Sequence, residues 1–158
     1  MKSRLPYDSY AKDALRLMYQ SEAYLKHHSG LEASLMELVK MRASQMNGCA
    51  FCLDMHSKDA RAAGETEQRL YGLNAWREAP YYTDRERAAL AWTEAVTNVQ
   101  QGHVPDSVFE ETRKFFSEEE LVNLTYAINQ INSWNRFAIA FRAEAGTYQP
   151  AQLQKAVP

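Results

Sequence analysis

An all-α fold, a single-domain helical bundle of six or seven helices, is what this 158-residue chain leads one to expect, and three observations carry the expectation. Val and Ile are sparse, while Ala, Leu, Glu, Arg, Lys, Gln and Met, which lose least on entering a helix, fill most segments. Apolar residues recur at the three- and four-residue spacing of a helix face, and strand-like alternation is almost absent. Capping signals and glycine stops separate these stretches at helix-length intervals. A chain of this length buries about 68 to 70% of the surface it exposes when unfolded, so no disulfide framework is needed for stability.

Taken in order, the first helix is expected from Tyr7 to Lys26, ending before His27-His28-Ser29-Gly30. The second runs from Leu31 to Met46, with Leu31, Leu35, Leu38, Val39 and Met46 on one stripe and Met36 and Met41 widening it. That stripe is broad enough to require more than one neighbour. Asn47-Gly48 stops this helix, because glycine accepts the left-handed conformation of a C-terminal cap. The third begins at or just before Cys49 and runs to Ala63, with Gly64 as terminator. A short helix from Glu67 to Arg77 ends ahead of Pro80. Thr83-Asp84-Arg85-Glu86 is a capping box that opens a helix to about Gln100. Asp106 is read as the cap of a short helix through Phe116. Ser117-Glu118-Glu119-Glu120 is a second capping box, opening a long final helix to about Ala145. Residues 1–146 thus form one helical domain, and 147–158 are expected to be a flexible tail.

The formal charge of −2, with both signs mixed throughout, provides no basic face to neutralise phosphates, so nucleic acid is excluded as an expected partner. The start carries no apolar run of signal-peptide length, and no stretch of about 18 apolar residues occurs anywhere, so a soluble cytoplasmic protein without a membrane partner is expected. Broad apolar coverage of the second and final helices points to subunit contacts as well as a core, and hence to a homo-oligomer (dimer, trimer or hexamer).

Cys49 and Cys52 are the chain's two cysteines, and His56 follows four residues later. On a helix the three lie at i, i+3 and i+7, along one face. In a reducing compartment such a pair reads as redox chemistry or metal binding before it reads as a staple. A thiol near a helix N-terminus meets unpaired backbone N–H groups, which favour thiolate and can lower its pKa from about 8.5 to roughly 3.5–7.5. His56, one turn beyond Cys52, is placed to take the proton. Cys52 is then the attacking sulfur and Cys49 the resolving one, although spacing alone permits the reverse order. Two alternatives stay open. One is a zinc site, which would need Cys49, Cys52 and His56 completed by Glu37, His27, His28 or His103; the other is a pair of inert buried thiols that are merely adjacent.

The segment Glu37-Leu38-Val39-Lys40-Met41-Arg42-Ala43-Ser44-Gln45-Met46-Asn47-Gly48-Cys49, continuing through Cys52 and His56, resembles the alkylhydroperoxidase D branch of the carboxymuconolactone decarboxylase superfamily. The pattern is Glu, eleven residues, CxxC, three residues, His. The resemblance continues through Asp59-Ala60-Arg61-Ala62-Ala63-Gly64-Glu65 and, less diagnostically, Ile131 to Arg136. It implies an all-helical, cofactor-free, oligomeric thiol peroxidase or disulfide reductase acting on a hydroperoxide and re-reduced by a dithiol, thioredoxin-like or lipoyl partner. By that analogy Cys52 is peroxidatic, Cys49 resolving, and Glu37 with His56 the proton relay. Periodicity by itself places Glu37 on the polar side of its helix, as a solvated carboxylate. The chain departs from the pattern at Ala50-Phe51, where members active with lipoylated partners tend to carry a second histidine, so the relay is shorter here or the substrate differs. The decarboxylase branch generally lacks the cysteine pair. The rival functions are a redox-sensing or partner-binding helical oligomer without turnover and a zinc-stabilised interaction module.

His27 and His28 read as caps of a helix C-terminus, and His103 as a loop residue without a catalytic role. Trp134, Asn135 and Arg136 read as structural, Asn135 through a buried hydrogen bond.

Overall fold

The computed structural model describes residues 2–150. Among them are eight α-helices, one short 3-10 turn and no strand: α1 (Tyr7–Tyr10), α2 (Lys12–His28), α3 (Ala33–Asn47), α4 (Ala50–Ala62), α5 (Glu67–Tyr71), the 3-10 turn Leu73–Ala75, α6 (Asp84–Thr97), α7 (Asp106–Thr112) and α8 (Glu118–Phe141). None of these helices is long and apolar enough to cross a membrane.

Both capping boxes form. Thr83 and Ser117 accept from the backbone N–H three residues on, while Glu86 and Glu120 reach back to the cap. Gly48 ends α3 in the left-handed region at φ 69°, donating to the Gln45 carbonyl, and Cys49 N–H closes on the Ser44 carbonyl. This compact link delivers the chain straight into α4 with Cys49 at its cap.

Several boundaries differ from expectation, including the end of α6 at Thr97 instead of about Gln100. The first helix divides at Ala11 without a Pro or Gly; Tyr7 is held against Phe137 and Phe141, with ring centroids 5.5 and 5.4 Å away, which draws the first turn onto α8. The helix expected to Arg77 stops at Tyr71 and continues as the 3-10 turn. In α7 the cap position is Pro105, with Asp106 inside the first turn, and the helix ends at Thr112 before i→i+3 turns reach Phe115. α8 ends at Phe141, where Arg142 is left-handed (φ 56°) and the Arg4 backbone N–H and guanidinium donate to the Phe141 and Ala140 carbonyls.

α3 is the central helix. Its Leu35 and Val39 pack with α6 and α8, Leu38 and Met41 with α4, the 3-10 turn and α6, and Met36 with Leu25 and Ala127. The broad stripe therefore finds its several neighbours within one chain. On α8, Val122, Tyr126 and Ile139 are left exposed. The chain after α8 returns to α4 at Gly146 and Tyr148: the Tyr148 hydroxyl donates to Asp59, Lys58 Nζ to the Tyr148 carbonyl, and Gly146 N–H to Asp54. The rest of the expected tail, 151–158, lies outside the described residues.

Candidate active site

Cys49 and Cys52 are joined as a disulfide at the start of α4. Cys49 is the N-cap residue, and its Sγ accepts the Cys52 backbone N–H at 3.3 Å. Both cysteines are 1% exposed, and they pack with Ala138 of α8, flanked by Phe51 and Ala143.

A cleft of about 1060 Å³ opens beside them. Cys52, Met55, His56 and Asp59 of α4 line it, with Glu37 and Lys40 of α3, Tyr19 and Glu22 of α2, Trp134 of α8, Tyr7 of α1, and Tyr148. Cys49 does not. The two sulfurs thus differ in position: Cys52 borders the cleft, while Cys49 lies behind it and receives the amide that helix starts offer to negative charge.

His56 is 6% exposed, and its Nδ1 lies 2.9 Å from Glu37 Oε2. Glu37, expected by periodicity to be solvated, is instead a cleft group. The polar side of α3 faces the space between α2 and α4, not bulk water, so the side chain meets His56 there. Burial works against its charge, but the hydrogen bond to His56, the charge of His56 and that of Lys40 outweigh it and hold the carboxyl below its ordinary value. An ionised carboxylate only accepts, so Nδ1 carries a hydrogen toward Glu37, and in the neutral imidazole Nε2 is then the free ring nitrogen.

Lys40, Trp134 and Tyr148, to which the sequence assigns no functional role, also line the cleft. Lys40 Nζ lies 3.0 Å from Glu22 Oε2 and 3.9 Å from Glu37 Oε1; its spacing of three from Glu37 is the one sequence sign of that pair. Trp134, read as structural, donates from Nε1 to Glu22 Oε1 at 3.0 Å and also lines the cleft. Tyr148 donates to Asp59 Oδ1 at 2.8 Å; burial, that hydrogen bond and the charges of Asp59 and Glu37 push its hydroxyl up to about 12. Phe51, between the two cysteines, puts an apolar ring on the cleft and offers no second relay group there.

Asn135 is fully buried, accepting from Asn47 Nδ2 at 2.8 Å and donating to Ser44 Oγ at 3.0 Å, which ties the α3–α4 link to α8. His27 and His28 end α2, with His27 on the cleft rim, and His103 sits exposed in the loop after α6. Among the described residues no group of three or more His, Cys, Asp or Glu is arranged to hold a metal ion.

Residues 11–95 match the model of the Carboxymuconolactone decarboxylase family. The chain is similar to the uncharacterized protein YdfG of Bacillus subtilis, 45% identical over 147 residues that span 93% of this chain and 99% of that one. It is also 30% identical to the uncharacterized protein YnjA of Escherichia coli over 71% of this chain and 61% of the other. Among solved structures, a protein of unknown function from Agrobacterium tumefaciens, proposed to be the antioxidant defence protein AhpD, superposes with a TM-score of 0.89 at 44% identity, covering 93% of this chain and all of the other (100%). The debrominase Bmp8, at 20% identity, a TM-score of 0.77 and coverage of 86% and 73%, shares the fold. The sequence pattern, the helical fold and these likenesses agree: the chain belongs to the carboxymuconolactone decarboxylase family, in its AhpD-like branch.

Proposed function

We propose that this protein is a thiol-dependent peroxidase or disulfide reductase of the AhpD kind, working through Cys52, Cys49, His56 and Glu37. The observation that carries the reading is the hydrogen bond between His56 and an ionised Glu37 in the same cleft that Cys52 borders, with Cys49 bonded behind it. In the reduced protein the Cys52 thiol gives its proton to His56, and the thiolate attacks the terminal oxygen of a hydroperoxide. The O–O bond breaks, leaving Cys52 sulfenic acid and an alkoxide, which takes the proton back from His56. Cys49 then attacks the Cys52 sulfur, releasing water and forming the disulfide.

Recovery uses the same asymmetry. A small dithiol, lipoyl group or thioredoxin-like partner reaches Cys52 from the cleft and forms a mixed disulfide. Cys49 leaves as the thiolate, favoured by the Cys52 amide at its sulfur. The partner's second thiol completes the reduction, so two electrons enter for each hydroperoxide converted to alcohol and water. No metal or organic cofactor takes part, and a reducing cytoplasm supplies the dithiol. The exposed Val122, Tyr126 and Ile139 on α8 support a homo-oligomer.

The test is peroxide turnover with excess dithiol. Cys52→Ser abolishes it, whereas Cys49→Ser allows one oxidation and then accumulates a dimedone-reactive sulfenic acid. Turnover at the normal rate in Cys52→Ser would overturn the assignment.

A further inference from the structure

A line of alternating charge runs through the cleft wall from α8 to the catalytic imidazole. Trp134 Nε1–H donates to Glu22 Oε1 at 3.0 Å, Lys40 Nζ stands 3.0 Å from Glu22 Oε2 and 3.9 Å from Glu37 Oε1, and Glu37 Oε2 meets His56 Nδ1 at 2.9 Å. Four helices contribute to it. The side chains are largely withdrawn from solvent, with Lys40 only 14% and Glu37 20% exposed, so their mutual interactions are weakly screened.

The ammonium is not an incidental surface charge. Lys40 follows Glu37 by three residues and so shares its face of α3. A lysine so far withdrawn from solvent needs compensating charge, and Glu22, itself fixed by Trp134, supplies it and fastens the ammonium in place. The remaining field of Lys40 falls on the outer oxygen of Glu37. Were Glu37 to take up a proton there, it would no longer need to accept from Nδ1 and could donate to it instead, reversing the imidazole tautomer and blocking Nε2 with hydrogen. Loss of Lys40 would also leave the Glu22 carboxylate facing Glu37 with no cation between them.

We propose that Lys40, anchored by Glu22 and Trp134, is a positioning residue that keeps Glu37 as the hydrogen-bond acceptor of His56 toward the acid side of the working range, and so keeps Nε2 open. The structural part stands independently of turnover, and the use of Nε2 as the base for Cys52 rests on the proposed function. The other titratable groups on this cleft are Tyr7 and Asp8 of α1, Tyr19, Lys26 and His27 of α2, Asp59 of α4 and Tyr148, the last two bonded to each other.

The experiment compares the full-length protein with Lys40→Met, which keeps most of the apolar stem, and Lys40→Arg, which keeps the cation. In the disulfide form, where no turnover is involved, the ¹³C resonance of the Glu37 carboxyl is followed against pH. The midpoint moves upward in Lys40→Met and returns toward normal in Lys40→Arg. In the reduced form, alkylation of Cys52 at pH 6 falls by at least about threefold in Lys40→Met, with a smaller difference at pH 8 and recovery in Lys40→Arg. A Glu37 titration unchanged by Lys40→Met, in a variant whose circular dichroism is normal, overturns the inference. Sluggish Cys52 in the unsubstituted protein overturns the peroxidase reading instead, while the carboxyl titration still decides the role of Lys40.

Discussion

Glu37 shows how much one side chain's surroundings matter. Its carboxyl is held below its ordinary value of 4.5 despite burial, because His56 and Lys40 favour the charged form. A group whose folded value is depressed contributes stability that is present above its unfolded value and is lost as pH falls through the folded one. The stability difference between the protein and its Glu37→Gln variant is therefore expected to be fully present at pH 7 and to shrink below about pH 4.5. Urea denaturation at a series of pH values measures this, and a difference independent of pH between 7 and 3 counts against it. The same variant leaves His56 without an anionic partner, so under the proposed function peroxide turnover is expected to fall by on the order of 10²-fold while the helical circular dichroism spectrum is retained.

The α3–α4 link decides where the cysteines sit. Gly48 adopts φ 69°, and a Cβ built there meets no atom within 4 Å, so the position needs glycine for backbone conformation and not for space. Gly48→Ala is expected to cost about 1–2 kcal/mol, the penalty of a left-handed residue with a Cβ. Gly48→Asn costs less, because asparagine tolerates that region. Equilibrium unfolding of the two variants ranks them, and equal stability of Gly48→Ala and the parent would remove the conformational argument. The link is fastened from the far side by Asn135, whose hydrogen bonds to Asn47 and Ser44 join α8 to the end of α3 just before Cys49. A mid-helix asparagine reads in sequence as a helix-weakening choice; its reason lies in the helix it touches.

At the scale of the whole molecule, α3 is shared between core clusters, so damage to it is not local. Leu38, with no solvent exposure, packs against α4, the 3-10 turn, α6 and the loop carrying Trp76 and Tyr82. Leu38→Ala is expected to lose about 2–5 kcal/mol through lost burial and the cavity left behind. Chemical denaturation should show the loss as a lower midpoint with an unchanged slope. A loss well under 1 kcal/mol would mean that the surrounding helices collapse onto the gap and that α3 is less central than its packing indicates.

Local chemistry was legible in the chain. Thr83 with Glu86, Ser117 with Glu120, and the Gly48 stop mark real helix ends because each acts within a few residues of backbone. The spacing likewise puts Cys49 at the cap of α4 and Cys52 and His56 one turn apart within it, and the Glu37 pattern identified the branch of the family. The break at Ala11, the end of α8 at Phe141 and the docking of Tyr148 on Asp59 were decided by partners more than eighty residues away. So was the environment of Glu37: helical periodicity says which residues share a side, but only packing makes that side a cleft containing His56, Lys40 and Glu22 instead of open water.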